Sequence, residues 1–316
     1  MNRRKFVSLS TLAGVVATVP TTYTRAGEVA TFEKEKRYQK GLSPWPICLD
    51  TATIRPASLK DKVKIAAKAG YDAIEPWDGE LQEFEAKGGN LKDLGKEIKD
   101  LGLFVPSVIG LWNSLPPTKE QFDSSLKDTR NRMRMAAAIG AKHIQTIPDT
   151  AGTNYNHRWV VDRYREIIEI GLKEYNIIPA LVFVKYQPVK TLGQAMGIAM
   201  DTNHPKAMVI PDTYHMYISE GGFEGLKMIN GSTIAIFQFS DAPSTPIIAE
   251  LGDKDRVYPG DGILPLPQIL RDLKMSGFKG CVSLELYNPS YYKEDLNLVA
   301  QTGLRKTLEV IKKAGV

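Results

Sequence analysis

From Pro46 onward, short hydrophobic runs of strand length alternate with longer segments in which apolar residues recur at helical spacing. The eight short runs recur about every 34 residues, which is the length of one strand, one helix and two loops. They end at Asp50, Glu75, Ile109, Gln145, Val182, Asp212, Gln238 and Glu285. This pattern predicts an α/β fold in which residues 46–316 form a single (β/α)8 TIM barrel.

The helix boundaries of the predicted barrel carry their own local signals. Ser58 precedes an amphipathic segment that stops at Gly70, where glycine adopts a left-handed conformation most easily. Thr118 and Gln121 form a capping-box pattern ahead of a long segment that ends near Gly140. These segments are expected to be helices whose apolar faces pack on the strands.

The first 26 residues differ from the rest of the chain. Arg3 and Arg4 precede a modestly apolar run, residues 12–19, that is too short to be a permanent membrane span. This arrangement resembles a twin-arginine export signal. We therefore expect recognition by an export machinery, a periplasmic or otherwise exported location, and a charged leader over residues 27–45.

Charge and cysteine content argue against a nucleic-acid-binding protein and against a disulfide-rich fold. The chain has a formal net charge of +5, but residues 1–26 hold four basic and no acidic residues, so the remainder carries only +1. A body this close to neutral lacks the field that nucleic-acid binding requires. The two cysteines exclude a disulfide framework, and Cys48 and Cys281 are expected to be buried thiols on the first and last strands.

Candidate chemistry is expected at the carboxyl ends of the strands, because these ends converge on one mouth of a parallel barrel. Polar and aromatic side chains both occur there, a combination that suits the hydroxyls and apolar faces of a small carbohydrate. The alternative is that the aromatic rings only cap the barrel. The polar residues are Asp50, Glu75, Gln145, Lys185, Asp212, His215, Gln238, Asp241 and Glu285, and the aromatic residues are Trp77, Trp112, Tyr186, Tyr214 and Tyr287.

Five segments together carry a resemblance to a known family. They are AGYDAIE (69–75), IPDTYH (210–215), FQFSD (237–241), RVYPGDG (256–262) and GCVSLE (280–285). In their order and spacing they resemble the xylose isomerase-like barrel superfamily, in particular its sugar phosphate isomerase/epimerase branch.

The resemblance implies a divalent metal at the barrel mouth, Mn or Mg in preference to Zn because the ligands are mostly oxygen donors. Three ligand positions map onto Asp212, Gln238 and Glu285. At the fourth, the family's carboxylate is replaced by Val182. This loss is expected to weaken metal binding unless Glu75, His215 or a water fills the position.

The same replacement changes the expected reaction. Epimerases of the family use two carboxylates on opposite faces of one carbon, and only Glu285 remains here. We therefore expect proton abstraction next to the carbonyl of an unphosphorylated keto-sugar or oxidised glycoside, leading to isomerisation or to β-elimination and hydration. Glu285 is the expected base, the metal or Lys185 would stabilise the enolate, and His215 is a further catalytic candidate. His143 and Lys185 are candidate substitutes for the missing carboxylate.

Substrate binding is assigned to the acidic, aromatic and basic side chains nearest the mouth: Glu75, Trp77, Trp112, Tyr186 and Arg256. The alternative function is a non-catalytic exported barrel that binds carbohydrate. An apurinic-site nuclease with the same barrel is disfavoured, because it needs a zinc cluster and the chain has only four histidines. An oligomer is compatible with the sequence.

Overall fold

A computed structural model describes residues 37–148 and 155–316. The predicted export signal, residues 1–26, and residues 27–36 of the predicted leader lie outside the described residues, so both remain predictions. Among the described residues, no helix is long and apolar enough to cross a membrane.

The described strands are parallel and form two four-stranded sheets in the orders β2-β1-β8-β7 and β3-β4-β5-β6. Isolated parallel bridges join the end of β2 to β3 at Trp77–Ile109 and the end of β6 to β7 at Asp212–Gln238, which closes the barrel. Each strand ends within two residues of its predicted end, so the predicted TIM barrel is confirmed. The strands are β1 Ile47–Asp50, β2 Ala73–Glu75, β3 Ser107–Leu111, β4 His143–Thr146, β5 Ile178–Val182, β6 Val209–Ile210, β7 Phe237–Phe239 and β8 Val282–Leu284.

The helices of the described chain surround the strands and bury their apolar faces against them. Two helices instead of one connect β2 to β3. The helices are α1 Leu59–Ala69, α2 Asp78–Ala86, α3 Leu91–Asp100, α4 Lys119–Ala138, α5 His157–Ile170, α6 Leu192–Asp201, α7 Thr213–Ile218, α8 Leu266–Met275 and α9 Leu296–Ala314.

The predicted helix signals act as expected. The Ser58 hydroxyl accepts a hydrogen bond from the Asp61 N–H at the start of α1, and Gly70 ends that helix with a φ of +94°. The Thr118 hydroxyl accepts from the Gln121 N–H at the start of α4. Local chemistry therefore sets these boundaries.

A separate apolar cluster is formed by strand residues from around the barrel. It contains Cys48 and Cys281 as well as Val182 and Ile210. Both cysteines are free and buried, as predicted, and burial raises the pKa of both thiols. The position where the family carries a carboxylate therefore lies in apolar surroundings.

Residues 37–45, assigned to the leader from the sequence, pack on the barrel. The Trp45 ring is buried, and its indole N–H donates to the Phe278 carbonyl at 2.9 Å. The Gln39 amide donates to the Asp72 carboxylate at 2.7 Å. Residues 37–45 therefore pack with the barrel, although the predicted boundary of the barrel is at residue 46.

Candidate active site

Arg256 joins the two carboxylates that the sequence places at the barrel mouth. Asp212 lies two residues after the end of β6 and Glu285 directly follows β8, whereas Arg256 lies on the long loop between β7 and α8. Its Nη1 lies 2.8 Å from Oδ2 of Asp212 and 3.0 Å from Oε2 of Glu285. The guanidinium is only 1% exposed, so its charge is compensated inside the protein.

Further contacts surround the same guanidinium. Nε and Nη2 lie 3.2 and 2.9 Å from Oδ1 of Asp253, and Nη1 donates to the Ser240 hydroxyl at 3.4 Å. The rings of Tyr214 and Tyr287 lie 4.8 and 5.2 Å from its central carbon. Burial alone would lower the pKa of Arg256, but the neighbouring carboxylates raise it well above its ordinary value. The sequence reasoning did not predict Asp253. The only signal for it in the sequence is that it lies three residues before Arg256, a spacing at which two side chains can pair.

Glu285 is a buried carboxylate with three donors. Its Oε1 accepts from the Gln238 amide at 3.1 Å and from the Tyr287 hydroxyl at 2.7 Å, while Oε2 faces Arg256. Burial raises the pKa of Glu285; Arg256 opposes this shift, and the carboxylate of Asp50 adds to it. A carboxyl with a raised pKa is a stronger base than an exposed glutamate.

Asp212 caps the short helix α7. Its Oδ1 accepts hydrogen bonds from the backbone N–H groups of Tyr214 and His215 at 2.7 and 3.1 Å. Burial alone would raise the pKa of Asp212, but Arg256 and His215 lower it below its ordinary value. Asp212 is therefore held as an anion, as its assignment to a cation site requires.

His215 lies beside this cluster. Its Nδ1 accepts from the Lys185 backbone N–H at 3.4 Å, and its Nε2 lies 3.5 Å from Asp253. Burial lowers the pKa of His215. The ring of Tyr186 packs against it at 6.4 Å, edge to face, with more than half of that tyrosine exposed. The predicted catalytic histidine and one predicted substrate-binding ring thus share one side of the mouth.

The Lys185 ammonium is engaged with the main chain. Nζ donates to the carbonyls of Ile248, Ala249 and Leu251 at 2.9, 3.1 and 3.3 Å. An ammonium has three donors, and all three are used in holding the loop after β7. The structure therefore places the sequence-predicted enolate-stabilising lysine in a loop-holding position.

Three aromatic rings form a wall on the other side of the mouth. Trp77 lies 5.8 Å from Trp112 and 6.0 Å from Tyr287, and the Arg55 guanidinium lies over Trp77 and Tyr287 at 5.6 and 5.4 Å. A cavity of about 1210 Å³ between α1 and the α2–α3 pair borders Trp77 and Trp112. The two predicted tryptophans thus lie together beside open space.

Glu75 is buried in the barrel, with both oxygens hydrogen bonded. Oε1 accepts from the Gln145 amide at 2.7 Å and Oε2 from the Ser283 hydroxyl at 2.8 Å. Burial, reinforced by the charge of Glu285, raises the pKa of Glu75 to about 8. The structure thus places this predicted substrate-binding residue in an internal network.

The raised pKa of Glu75 makes stability depend on pH. The folded protein keeps a proton that the unfolded chain loses above pH 4.5, so this contribution is fully present below pH 4.5 and lost as pH rises through about 8. Glu75→Gln has no carboxyl to titrate, so the variant does not lose stability in this way as pH rises. Relative to wild type, the variant's free energy of unfolding is expected to increase from pH 5 to pH 9 in urea titrations. The exposed change Glu294→Gln is the control, and an equal difference at every pH would contradict the assignment.

His143 lies at the wrong end of the barrel for the suggested substitute role. It is the first residue of β4, opposite Ser107 at the start of β3, whereas the candidate site follows the strand ends. Its Nδ1 lies 3.0 Å from the Pro106 carbonyl. Burial lowers the pKa of His143 to about 4. The suggestion that His143 replaces the missing carboxylate was wrong, because His143 begins its strand and a residue that acts at the mouth must lie near the carboxyl end of its strand.

Asp241 positions the loop that carries Arg256. Its two oxygens accept four backbone hydrogen bonds, at 2.8 to 3.1 Å, from Ala242, Gly260, Gly262 and Leu264. Its own backbone forms an antiparallel bridge with Val257, the residue after the arginine. This strand-end carboxylate therefore holds the loop.

The donor set does not fit a divalent metal. Among residues 37–148 and 155–316, no group of three or more His, Cys, Asp or Glu side chains could hold one. Val182 offers no donor atom, and Gln238 directs its amide nitrogen at Glu285. Oδ2 of Asp212 lacks an aligned hydrogen bond, as a metal ligand would, but Nη1 of Arg256 lies against it at 2.8 Å.

Neither suggested replacement ligand supplies the missing donor. Both oxygens of Glu75 are used by Gln145 and Ser283, and the ring nitrogens of His215 face Lys185 and Asp253. The mouth is thus organised around a guanidinium.

Comparison with known proteins agrees with this fold. The family model of the xylose isomerase-like TIM barrel matches residues 63–314, so the chain belongs to this family. It is 28% identical to the inosose isomerase of Bacillus subtilis (strain 168), over 84% of this chain and 98% of that protein. It is 22% identical to a 3-dehydroshikimate dehydratase of Pseudomonas putida, over 79% of this chain and 39% of that one.

Solved structures give the same result. The IOLI protein, whose structure has a bound zinc atom, matches with a TM-score of 0.78 and 27% identity over 85% of this chain and 99% of its own. L-ribulose 3-epimerase matches with a TM-score of 0.68 and 16% identity over 86% and 96%, which shows the fold. The two sequence relatives are an isomerase and a dehydratase, and they support an enzyme of this general kind.

Proposed function

We propose that this protein removes a proton from the carbon next to the carbonyl of an unphosphorylated keto-sugar or keto-polyol. The observation that carries the proposal is the buried Glu285 carboxylate, held beside the Arg256 guanidinium at the ends of the strands. The inosose isomerase and dehydratase relatives support the reaction class, because isomerisation and dehydration of a hydroxy ketone both proceed from an enolate.

Glu285 acts as the base. It takes the proton from the carbon next to the carbonyl, and the bonding pair moves to form the enolate double bond, leaving negative charge on the oxygen. Return of the proton to the former carbonyl carbon, together with transfer of the neighbouring hydroxyl's proton to the former carbonyl oxygen, gives the isomer. Transfer of the abstracted proton from Glu285 to a β-hydroxyl, which then leaves as water while the enolate re-forms the carbonyl, gives the dehydrated ketone. One base is sufficient for both outcomes.

The positive charge of Arg256 stabilises the enolate oxygen. The guanidinium already sits beside the base and keeps its charge at every working pH. Fixed charges in a buried site stabilise developing anions more strongly than they do in water. Since Lys185 is engaged with three carbonyls, Arg256 takes over the role that the sequence assigned to the lysine.

The aromatic wall supports a polyol substrate. Trp77, Trp112 and Tyr287 offer apolar ring surface to the C–H face of a sugar. An unphosphorylated substrate is favoured because the body of the chain carries little net charge. The predicted twin-arginine signal, residues 1–26, adds to this proposal, since an exported enzyme meets unphosphorylated sugars.

Isotope exchange tests the proposal. The full chain is incubated in deuterated water with an inosose and with 2-keto and 3-keto sugars, and mass spectrometry measures deuterium next to the carbonyl. We expect enzyme-dependent incorporation into at least one ketone and none into the corresponding polyols, which have no acidified C–H. Absence of incorporation from every ketone that binds would contradict the enzyme and support the second candidate.

That second candidate is a non-catalytic carbohydrate-binding barrel. It is favoured by the pairing of Asp212 and Glu285 with the same arginine, which a site that only binds sugar could also retain. Binding without exchange is its distinguishing result.

A further inference from the structure

We propose that the Arg256 guanidinium takes the place of the divalent metal, so that the barrel mouth excludes metal and carries a permanent organic cation. The inference deepens the proposed function and rests on it for the part that concerns substrate. Its structural part, exclusion of metal, is tested separately.

The first observation is where the positive charge sits. Nη1 of Arg256 contacts Asp212 at 2.8 Å and Glu285 at 3.0 Å, and these are the two carboxylates that the family resemblance assigns to metal. Both are buried. One guanidinium nitrogen therefore lies between the two carboxylates and offsets part of the negative charge that would otherwise attract a divalent ion.

The second observation concerns the other two ligand positions. Val182 belongs to an apolar cluster with Ala180 and Ile210, and its side chain has no donor atom for a metal. Gln238 donates its amide hydrogen to Glu285 at 3.1 Å. The Glu285 carboxylate thus accepts hydrogen bonds from its neighbours, which is the arrangement expected beside an arginine.

The third observation is that Arg256 is held in place from several sides. Asp253 binds the far side of the guanidinium, and the rings of Tyr214 and Tyr287 lie within 5.2 Å of its central carbon. Its carbonyl accepts from the Asn288 amide at 3.1 Å. An arginine fixed by both its side chain and its backbone does not swing away to admit an ion.

These observations make a metal-bound state unfavourable. An entering ion would have to displace a buried arginine and leave it with Asp253 alone as a carboxylate partner, while gaining only two carboxylates. The guanidinium also supplies donors in a fixed plane, which suits a substrate oxyanion. We infer that substrate binding and turnover are insensitive to chelators.

The test is metal titration of the full chain. After treatment with EDTA and its removal, melting temperature and calorimetric heat are followed with Mn²⁺, Mg²⁺ and Zn²⁺, beside the same titrations of Asp212→Asn. The expected result is no saturable response, or a response that Asp212→Asn leaves unchanged because the ion binds elsewhere. A saturable, one-to-one response in wild type that Asp212→Asn weakens at least tenfold would overturn the proposal.

A second set of variants asks whether the arginine is the excluding group. Val182→Glu restores the missing carboxylate, and Gln238→His places an imidazole at the other ligand position, while both changes retain Arg256. A third change, Arg256→Met, then removes the guanidinium. We expect affinity for Mn²⁺ or Zn²⁺ to be at least about 100-fold higher in the triple variant than in the double variant. Equal, tight binding by both would overturn the excluding role. The wild-type titration decides the proposal by itself if the triple variant does not fold.

Isotope exchange with and without EDTA separates the two proposals. Exchange that EDTA leaves unchanged supports both. Exchange that EDTA abolishes and metal restores keeps the enolising activity and overturns the guanidinium proposal. Absence of exchange together with absence of metal binding overturns the proposed activity alone.

Discussion

Glu285→Gln is expected to lower the rate of solvent deuterium incorporation into the ketone by about a thousandfold, the usual contribution of a positioned base. The amide cannot accept the proton, yet it matches the carboxylate in shape and keeps partners for Gln238 and Tyr287. Binding of the ketone, followed by calorimetry, is expected to change by less than about tenfold because the aromatic wall is untouched. The exchange rate and the binding constant together separate chemistry from binding.

The matched control is the same change at an exposed position, Glu294→Gln. It is expected to leave both the exchange rate and the free energy of unfolding at their wild-type values. If Glu285→Gln keeps more than about a tenth of wild-type exchange, another group is the base. If it unfolds at lower urea than the control but exchanges normally, Glu285 is a structural residue.

Arg256→Met is expected to destabilise the fold by about 3–5 kcal/mol, the range seen when one partner of a buried ion pair is removed. The substitution leaves Asp212 and Glu285 buried without their shared cation, and Asp253 loses its partner on the other side. Urea denaturation at neutral pH measures the loss directly.

Two further variants define the origin of this loss. Arg256→Lys keeps the charge but not the planar fork, so it is expected to recover only part of the stability. Arg55→Met also removes a cation that lies over aromatic rings, but at an exposed position, and is expected to cost less than about 1 kcal/mol. A similar cost for Arg55→Met and Arg256→Met would show that the buried carboxylates do not depend on the guanidinium.

The arrangement explains how a family member can lose ligand positions and keep an organised mouth. Val182 brings no negative charge and Gln238 is a neutral donor, so the remaining carboxylates share one internal arginine. Asp241 contributes from outside the cluster by fixing the backbone of the loop next to Val257. The charge balance thus depends on a loop as well as on strand ends.

The sequence by itself determined the elements of the barrel. Strand and helix periodicity, the Ser58 cap and the terminal Gly70 act over a few residues, so the eight units and their ends could be predicted without long-range information. Convergence of the strand ends also placed Asp212 and Glu285 at the mouth, because that follows from parallel topology alone.

Only the tertiary structure decided what those side chains touch. Arg256 could be assigned to substrate from its motif, but its contacts with three carboxylates depend on the path of the loop between β7 and α8. The ammonium of Lys185 is likewise taken up by distant carbonyls. Hydrophobic periodicity is a local property, whereas the partner of a buried charge is set by whichever groups the folded loops bring within about 3 Å.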